Sequence, residues 1–236
     1  VTNIVILVHD RPRLTLQTLE TLVKNTSGEY RAIIVDDASG PETQAIIAEF
    51  VCPNIRFIRF NEPVGIVGAL RNAGANSSEW TFGRGEWLYF SDNDVAFDAG
   101  WLEKMQKAML FGAQILGGYR HPYHGVNQSM AAIEGGAFAA GDAMPISSEI
   151  QLTDAVAGYS MLMRWDTWDR YKPFAANAKG TGQSEDFEYC QRIIKDGGKV
   201  GYIHPPVLSH CGITNSDSKP ATGAEHFLRR EGIIYE

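Results

Sequence analysis

Four short apolar runs, each followed by an amphipathic stretch, constrain this chain more than any other feature of it. Asn3-Ile4-Val5-Ile6-Leu7-Val8 is apolar at successive positions, as a strand buried on both faces is. Behind Pro12, Leu14, Leu16, Leu19, Leu22 and Val23 recur at near-helical spacing. Arg31 to Val35 forms the second run and ends on Asp36-Asp37. Pro41 follows where the first turn of a helix tolerates proline, and Ile46, Ile47 and Phe50 mark that helix's buried face. Ile55 to Phe60 is the third run, and its two arginines place it near a sheet edge. Gly65 opens a helix through Ile66, Ala69, Leu70 and Ala73. Trp87-Leu88-Tyr89-Phe90 is the fourth run and leads straight into Ser91-Asp92-Asn93-Asp94. Trp101, Leu102, Met105 and Met109 place a further helix.

This order predicts an α/β fold, a mostly parallel central sheet with helices on both faces. Neither repeats nor a long linker interrupt the chain, so residues 1–236 read as a single domain. Ligands on such sheets bind outside the carboxyl ends of the strands. Asp36-Asp37 and Asp92-Asn93-Asp94 both lie at such ends, and two separate runs thus point to one crevice.

The second half is less regular. Residues 114–163 hold many glycines, including Gly117-Gly118 and Gly135-Gly136, and read as strands joined by long loops. A helix is expected near Glu185–Lys195, with Phe187, Cys190, Ile193 and Ile194 inward, then a strand from Lys199 to Ile203. Residues 212–224 form a polar loop containing Gly and Pro, long enough to close over a ligand.

A net charge of −7 weighs against binding nucleic acid polymers. It leaves room for a small phosphorylated ligand whose charge is met by a metal ion. The three cysteines, Cys52, Cys190 and Cys211, match neither a zinc pattern nor a disulfide scaffold and read as free thiols. No apolar run reaches the ~20 residues of a membrane span, and no secretory segment opens the chain. A cytoplasmic or membrane-peripheral protein is expected. The first residue is Val1, which leaves a preceding anchor or domain open.

Asp92-Asn93-Asp94 carries the most chemistry. Two carboxylates at a strand end suit Mn²⁺ or Mg²⁺ bridging diphosphate oxygens, although Asp94 or Asp98 also suits a helix cap. A carboxylate of Asp36-Asp37-Ala38-Ser39 can accept from a base N–H or a ribose hydroxyl, or build an Asx-turn. Arg71 either steadies the acidic cluster, approaches phosphates or lies on a helix surface. Glu185-Asp186 either complements a helix dipole or offers Asp186 as a base for an acceptor hydroxyl. His210 either completes a metal site with Asp94 or is structural.

The pieces stand in the order of the GT-A glycosyltransferases, and the chain most resembles family 2 of that group. The resemblance is carried by Val35-Asp36-Asp37-Ala38-Ser39, by Asn61 to Gly65 with Arg71-Asn72-Ala73-Gly74, by Asp92-Asn93-Asp94 and by Glu185-Asp186. It implies a single GT-A domain, with residues 1–110 as the nucleotide-sugar half and 111–236 as the acceptor half. It implies that Asp36 or Asp37 holds the nucleobase, with Val8 and His9 lining the same place. The wider nucleotide-sugar set is Gly65, Arg71, Asp92, Asn93 and Gly158, the last with Tyr159-Ser160-Met161-Leu162 beneath the donor sugar. Asp92, Asp94 and His210 would hold Mn²⁺ or Mg²⁺, and Asp186 would be the catalytic base of an inverting transfer. The implied donor is a UDP-, GDP- or dTDP-sugar, and the acceptor a glycan, a lipid-linked molecule or a protein. Two departures stand out: the first turn reads Val8-His9-Asp10-Arg11, and Ala38 stands where glycine is common. A retaining transferase, a sugar-phosphate nucleotidyltransferase and a lectin-like module are the alternatives.

Overall fold

A computed structural model describes residues 1–118, 145–147, 150–176 and 185–211. The expected closing loop at 212–224 and the glycines Gly135-Gly136 lie outside the described residues.

The first half alternates as predicted: β1 (Thr2–Val8), α1 (Pro12–Asn25), β2 (Tyr30–Asp36), α2 (Pro41–Phe50), β3 (Ile55–Arg59), α3 (Val67–Phe82) and β4 (Trp87–Asp92). A short β5 (Val95–Phe97), α4 (Trp101–Met109) and β6 (Ile115–Gly117) follow. The second half adds β7 (Pro145–Ser147), β8 (Ile150–Leu152), β9 (Ser160–Arg164), α5 (Trp165–Tyr171), α6 (Glu185–Lys195), β10 (Val200–Ile203) and β11 (Leu208–His210). The sequence pattern did not separate α5, because seven residues give too few turns for a periodicity to emerge. It also missed β5 and β11, which are three residues each.

The sheet has the order β3-β2-β1-β4-β9-β6-β10-β8-β7. Strands β1 to β4 run parallel, and β9 is antiparallel to both β4 and β6. With β10 parallel to β6, and β8 antiparallel to β10 and β7, all strands of this sheet but β8 and β9 share one direction. The arginine-bearing β3 is an edge strand, as its composition predicts.

Alternate residues of the central strands feed two cores. Ile4, Ile6, Val8, Ala32 and Ile34 pack with Leu19 and Leu22 of α1, Ile47 of α2 and Trp101 and Met105 of α4. Val5, Leu7, Ile33 and Val35 pack with Leu70 of α3, Trp168 of α5 and Tyr189 and Ile193 of α6. Helices therefore cover both faces, which is why β1 is apolar at successive positions. Gly74 lets α3 lie close on the sheet: a Cβ there would come within 2.3 Å of Val5 Cγ1 and 2.9 Å of Val35 Cγ2. Among the described residues no helix is long and apolar enough to cross a membrane. All three cysteines are free thiols, as expected.

Candidate active site

The carboxyl ends of β1, β2 and β4 lie side by side, since Val8 registers with Asp36 and Leu7 with Asp92. The turn after β1 is tied to its neighbours. Asp10 N–H donates to Ser39 Oγ at 2.9 Å, and Asp10 Oδ1 accepts from Gly40 N–H at 2.7 Å. The Asp10 carbonyl accepts from Asn93 Nδ2 at 2.9 Å and from Thr15 Oγ1 at 3.0 Å. The His9 ring donates from Nδ1 to the Asp37 carbonyl at 2.7 Å. The Val8 side chain belongs to the core, so only its backbone borders this edge.

The two aspartates that follow β2 hold the surrounding chain. Asp36 accepts from Ser39 N–H at 2.9 Å and pairs with Arg59 on β3. Asp37 accepts from Val64 N–H at 2.6 Å and Gly65 N–H at 3.1 Å, fixing the loop that enters α3. Both carboxylates thus carry structural duties in the turns around them. The Asn93 amide likewise turns toward Thr15 Oγ1, 2.7 Å away, and toward Asp10.

Asp94 lies on the turn between β4 and β5. Antiparallel pairing of β5 with β11 sets Val95 opposite His210, and Cys211 N–H donates to the Asp94 carbonyl at 2.6 Å. This two-strand ladder brings His210 Nε2 to 3.2 Å from Asp94 Oδ1, while Arg11 Nη1 meets Asp94 Oδ2 at 2.9 Å. The Tyr159 ring stacks on His210 with centroids 4.1 Å apart and planes 9° from parallel. Burial alone would raise Asp94; His210 and Arg11 outweigh it and hold the carboxyl below its ordinary range. Burial opposes charge on His210, but Asp94, with Asp92, outweighs burial and raises the imidazole.

Asp94 and His210 suit a divalent cation by the chemistry of their donor atoms. Adjacent ligands of an octahedral ion at about 2.1 Å lie about 3 Å apart, close to the 3.2 Å separating Oδ1 and Nε2. Among the described residues no group of three or more His, Cys, Asp or Glu side chains gathers as a cage. A cation with one or two protein ligands takes the remainder from substrate phosphates and water. Asp92, 34% exposed, turns Oδ1 toward Arg71 Nη2 at 3.2 Å.

Arg71 is 1% exposed. Of the three roles open to it, the structure favours steadying the acidic cluster: its guanidinium pairs with Asp92 and with Glu185 Oε1 and lies 5.7 Å from the centre of the Phe174 ring. Gly158 packs against that guanidinium, where a Cβ would fall 2.2 Å from Nη2. Gly158 N–H donates to Asp186 Oδ2 at 2.9 Å, and Phe187 N–H to Oδ1 at 2.7 Å. Burial and the neighbouring Glu185 charge push Asp186 up to about 6, against the pull of Arg71 and those two N–H groups. A carboxyl near 6 is suited to accept a proton close to neutral pH.

Sequence reasoning overlooked three participants: Glu185 as the partner of Arg71, Arg59 as the partner of Asp36, and Arg11 on Asp94. Only Arg11 carried a signal, as a charge in an unusual first turn. The family model described as Glycosyl transferase family 2 matches residues 3–167. The chain belongs to this family. Its architecture is the GT-A arrangement, and solved structures repeat it at low identity. S. aureus TarS 1-349 in complex with UDP superposes with a TM-score of 0.62 at 16% identity, over 88% of this chain and 59% of that one. The same protein with UDP-GlcNAc gives 0.63 at 15%, over 88% and 57%. The mannosyltransferase PcManGT from Pyrobaculum calidifontis, with GDP-Man and Mn²⁺, gives 0.59 at 14%, over 87% and 54%. This chain spans little more than half the length of those solved chains, and 36% of the longer TarS chain. No curated protein sequence matches it. Asp186 and His210 lie beyond the family match.

Proposed function

We propose that this family 2 glycosyltransferase moves a sugar from a nucleoside-diphosphate sugar to an acceptor hydroxyl, with inversion at the anomeric carbon. Residues 1–110 serve the donor and residues 111–236 the acceptor. The reading rests most on Asp186, a carboxylate raised to about 6 that joins Asp92 through Glu185 and Arg71. The base and the D-x-D strand end thus belong to one linked set.

Asp186 accepts the proton of the acceptor hydroxyl as the oxygen attacks. Gly158 N–H and Phe187 N–H steady the carboxylate throughout. Mn²⁺ or Mg²⁺, when held by Asp94 and His210, supplies positive charge against the departing diphosphate. Asp92 reaches the ribose or the same cation, and Tyr159 steadies the His210 ring by stacking on it. Val8, His9, Asp36, Asp37, Gly65 and Asn93 shape the nucleoside side, Asn93 and Val8 through their backbones. Donors of the UDP, GDP and dTDP classes fit this reading. The neighbouring structures hold UDP, UDP-GlcNAc and GDP-Man. The acceptor is a glycan, a lipid-linked molecule or a protein.

A thermal-shift panel of UDP, GDP, dTDP and CDP, each with Mn²⁺ and with chelator, tests the proposal. The matching nucleotide at 100 times its dissociation constant stabilises by about 2.7 kcal/mol, and chelator removes the shift. The loss of that shift in Asp94→Asn supports the cation assignment. Silence from all four nucleotides overturns the donor reading, and retained configuration in the product overturns the role of Asp186.

A further inference from the structure

Asp10 and Arg11 are consecutive non-glycine residues with φ of 51° and 57°. The left-handed region costs such residues about 1 kcal/mol each. It persists here because Asp10 is held by four hydrogen bonds, with Ser39, Gly40, Asn93 and Thr15. The result of that turn is the position of Arg11. Its guanidinium reaches Asp94 Oδ2, the oxygen opposite the one facing His210.

The corner is rich in negative charge, with Asp92, Asp94, Glu185 and Asp186 close together. Of the guanidinium groups that the described residues bring to it, Arg71 is closed off behind carboxylates at 1% exposure. The Arg11 side chain is 23% exposed. A diphosphate entering such a corner needs cationic donors, and a guanidinium can serve a carboxylate and a phosphate at once.

We infer that Arg11 is a diphosphate-binding residue of the donor site, delivered by the strained turn, and that its pairing with Asp94 Oδ2 directs the cation to Oδ1 and His210. The inference rests on the transferase reading above. It separates two effects of one charge. Arg11 attracts the nucleotide's phosphates, and it opposes a bare divalent cation at Asp94. A residue that merely scaffolds Asp94 would favour both ligands.

Calorimetric titration of UDP, GDP, dTDP and CDP with Mn²⁺ present, and spin-resonance titration of Mn²⁺ alone, distinguish the two roles. Arg11→Gln is expected to weaken the matching nucleoside diphosphate by about tenfold or more, the size of one lost charge-assisted hydrogen bond. Mn²⁺ alone is expected to bind as well as in the unaltered protein or better. Arg11→Lys, which keeps the charge without the planar fork, is expected to fall between them on nucleotide and to leave Mn²⁺ unchanged. It stands in if Arg11→Gln does not fold. Weakening of Mn²⁺ and nucleotide together, or a smaller nucleotide loss, overturns the inference. If the unaltered protein binds none of the four nucleotides, the transferase reading fails with it. If the unaltered protein binds one and the variants bind it equally, only the assignment of Arg11 fails.

Discussion

Val8-His9, Asp36-Asp37 and Asp92 each leave a parallel strand at its carboxyl end, at neighbouring positions of one sheet register. The site residues of the second half arrive differently. Gly158 precedes β9, which runs against β4; Asp186 opens α6; His210 ends β11, whose ladder is with β5 outside the main sheet. The proposed donor side is therefore fixed by the same hydrogen bonds that make the sheet. The proposed catalytic side is fixed by contacts that cross between elements: Arg71 to Glu185, Gly158 to Asp186 and Tyr159 to His210. The fold of the donor side should tolerate loss of one contact, whereas the geometry of the catalytic side should fail when one link is cut.

Asp186→Asn weakens the Gly158 link and removes the proposed base, and turnover should fall by about 10²–10⁴-fold, the size of general-base catalysis. Nucleotide affinity should hold, since this carboxylate is held by Gly158 and Phe187 and not by the strand ends. Loss of both in titration and turnover assays would erase the distinction between the halves. The same residue should set the pH dependence. In the proposed base role Asp186 must be ionised, so the rate should fall about tenfold per pH unit below about 6. A raised carboxyl also makes the folded protein bind its proton more tightly than the unfolded chain does, near 3.9. Its contribution to stability is therefore present at pH 4 and lost as pH rises through about 6. Asp186→Asn mimics the neutral form, so it should melt higher than the unaltered protein at about pH 8 and not at about pH 4.

Arg71→Met removes the cation that joins the halves. Leaving Asp92 and Glu185 without it should cost about 3–5 kcal/mol of stability, as broken buried pairs do. Chemical denaturation would measure this. A cost near zero would mean that the β4–β9 ladder and apolar packing hold the two halves together without this pair.

The contrast between the halves also decides what the sequence could reveal. In the first half each motif is a strand followed by its own turn, so Asp36-Asp37 and Asp92-Asn93-Asp94 were placed by local pattern alone. Asp186 and His210 carried no such local assurance. An acidic first helical turn and a lone histidine are commonplace, and the family resemblance singled them out. What brings His210 to Asp94 is a ladder of two three-residue strands, too short to leave a pattern. Glu185 read as a dipole complement because its partner is 114 residues away. The left-handed Asp10-Arg11 turn was illegible for a different reason: neither residue is glycine, and its support comes from Ser39, Gly40 and Asn93, distant in the chain.

Two glycines sharpen the comparison at a smaller scale. Gly74→Ala drives a methyl into Val5 and Val35, and Gly158→Ala drives one into the Arg71 guanidinium. Each overpacked site should cost about 1–3 kcal/mol. The first should lower stability and leave the pH limb near 6 where it is. The second should also displace Asp186 from the Gly158 N–H, raise its proton affinity and move the limb to higher pH. Equal pH profiles for the two variants would show that Gly158 is a packing residue only.

The smallest effect comes from Ser39→Ala. Ser39 Oγ accepts the Asp10 N–H and is buried, so its loss leaves one donor unmet in a turn already held from several sides. The cost should be about 0.5–1.5 kcal/mol, or a few degrees for each kcal/mol in the melting temperature of a chain this long. Because Ser39 acts on the turn that carries Arg11 and not on the Arg71 set, nucleotide affinity should drop slightly while the pH limb of Asp186 stays in place. A shift of that limb would mean that strain in the first turn reaches α6 through Asp94 and Asp92, and the corner would then have to be treated as one electrostatic unit in place of two separately supported sides.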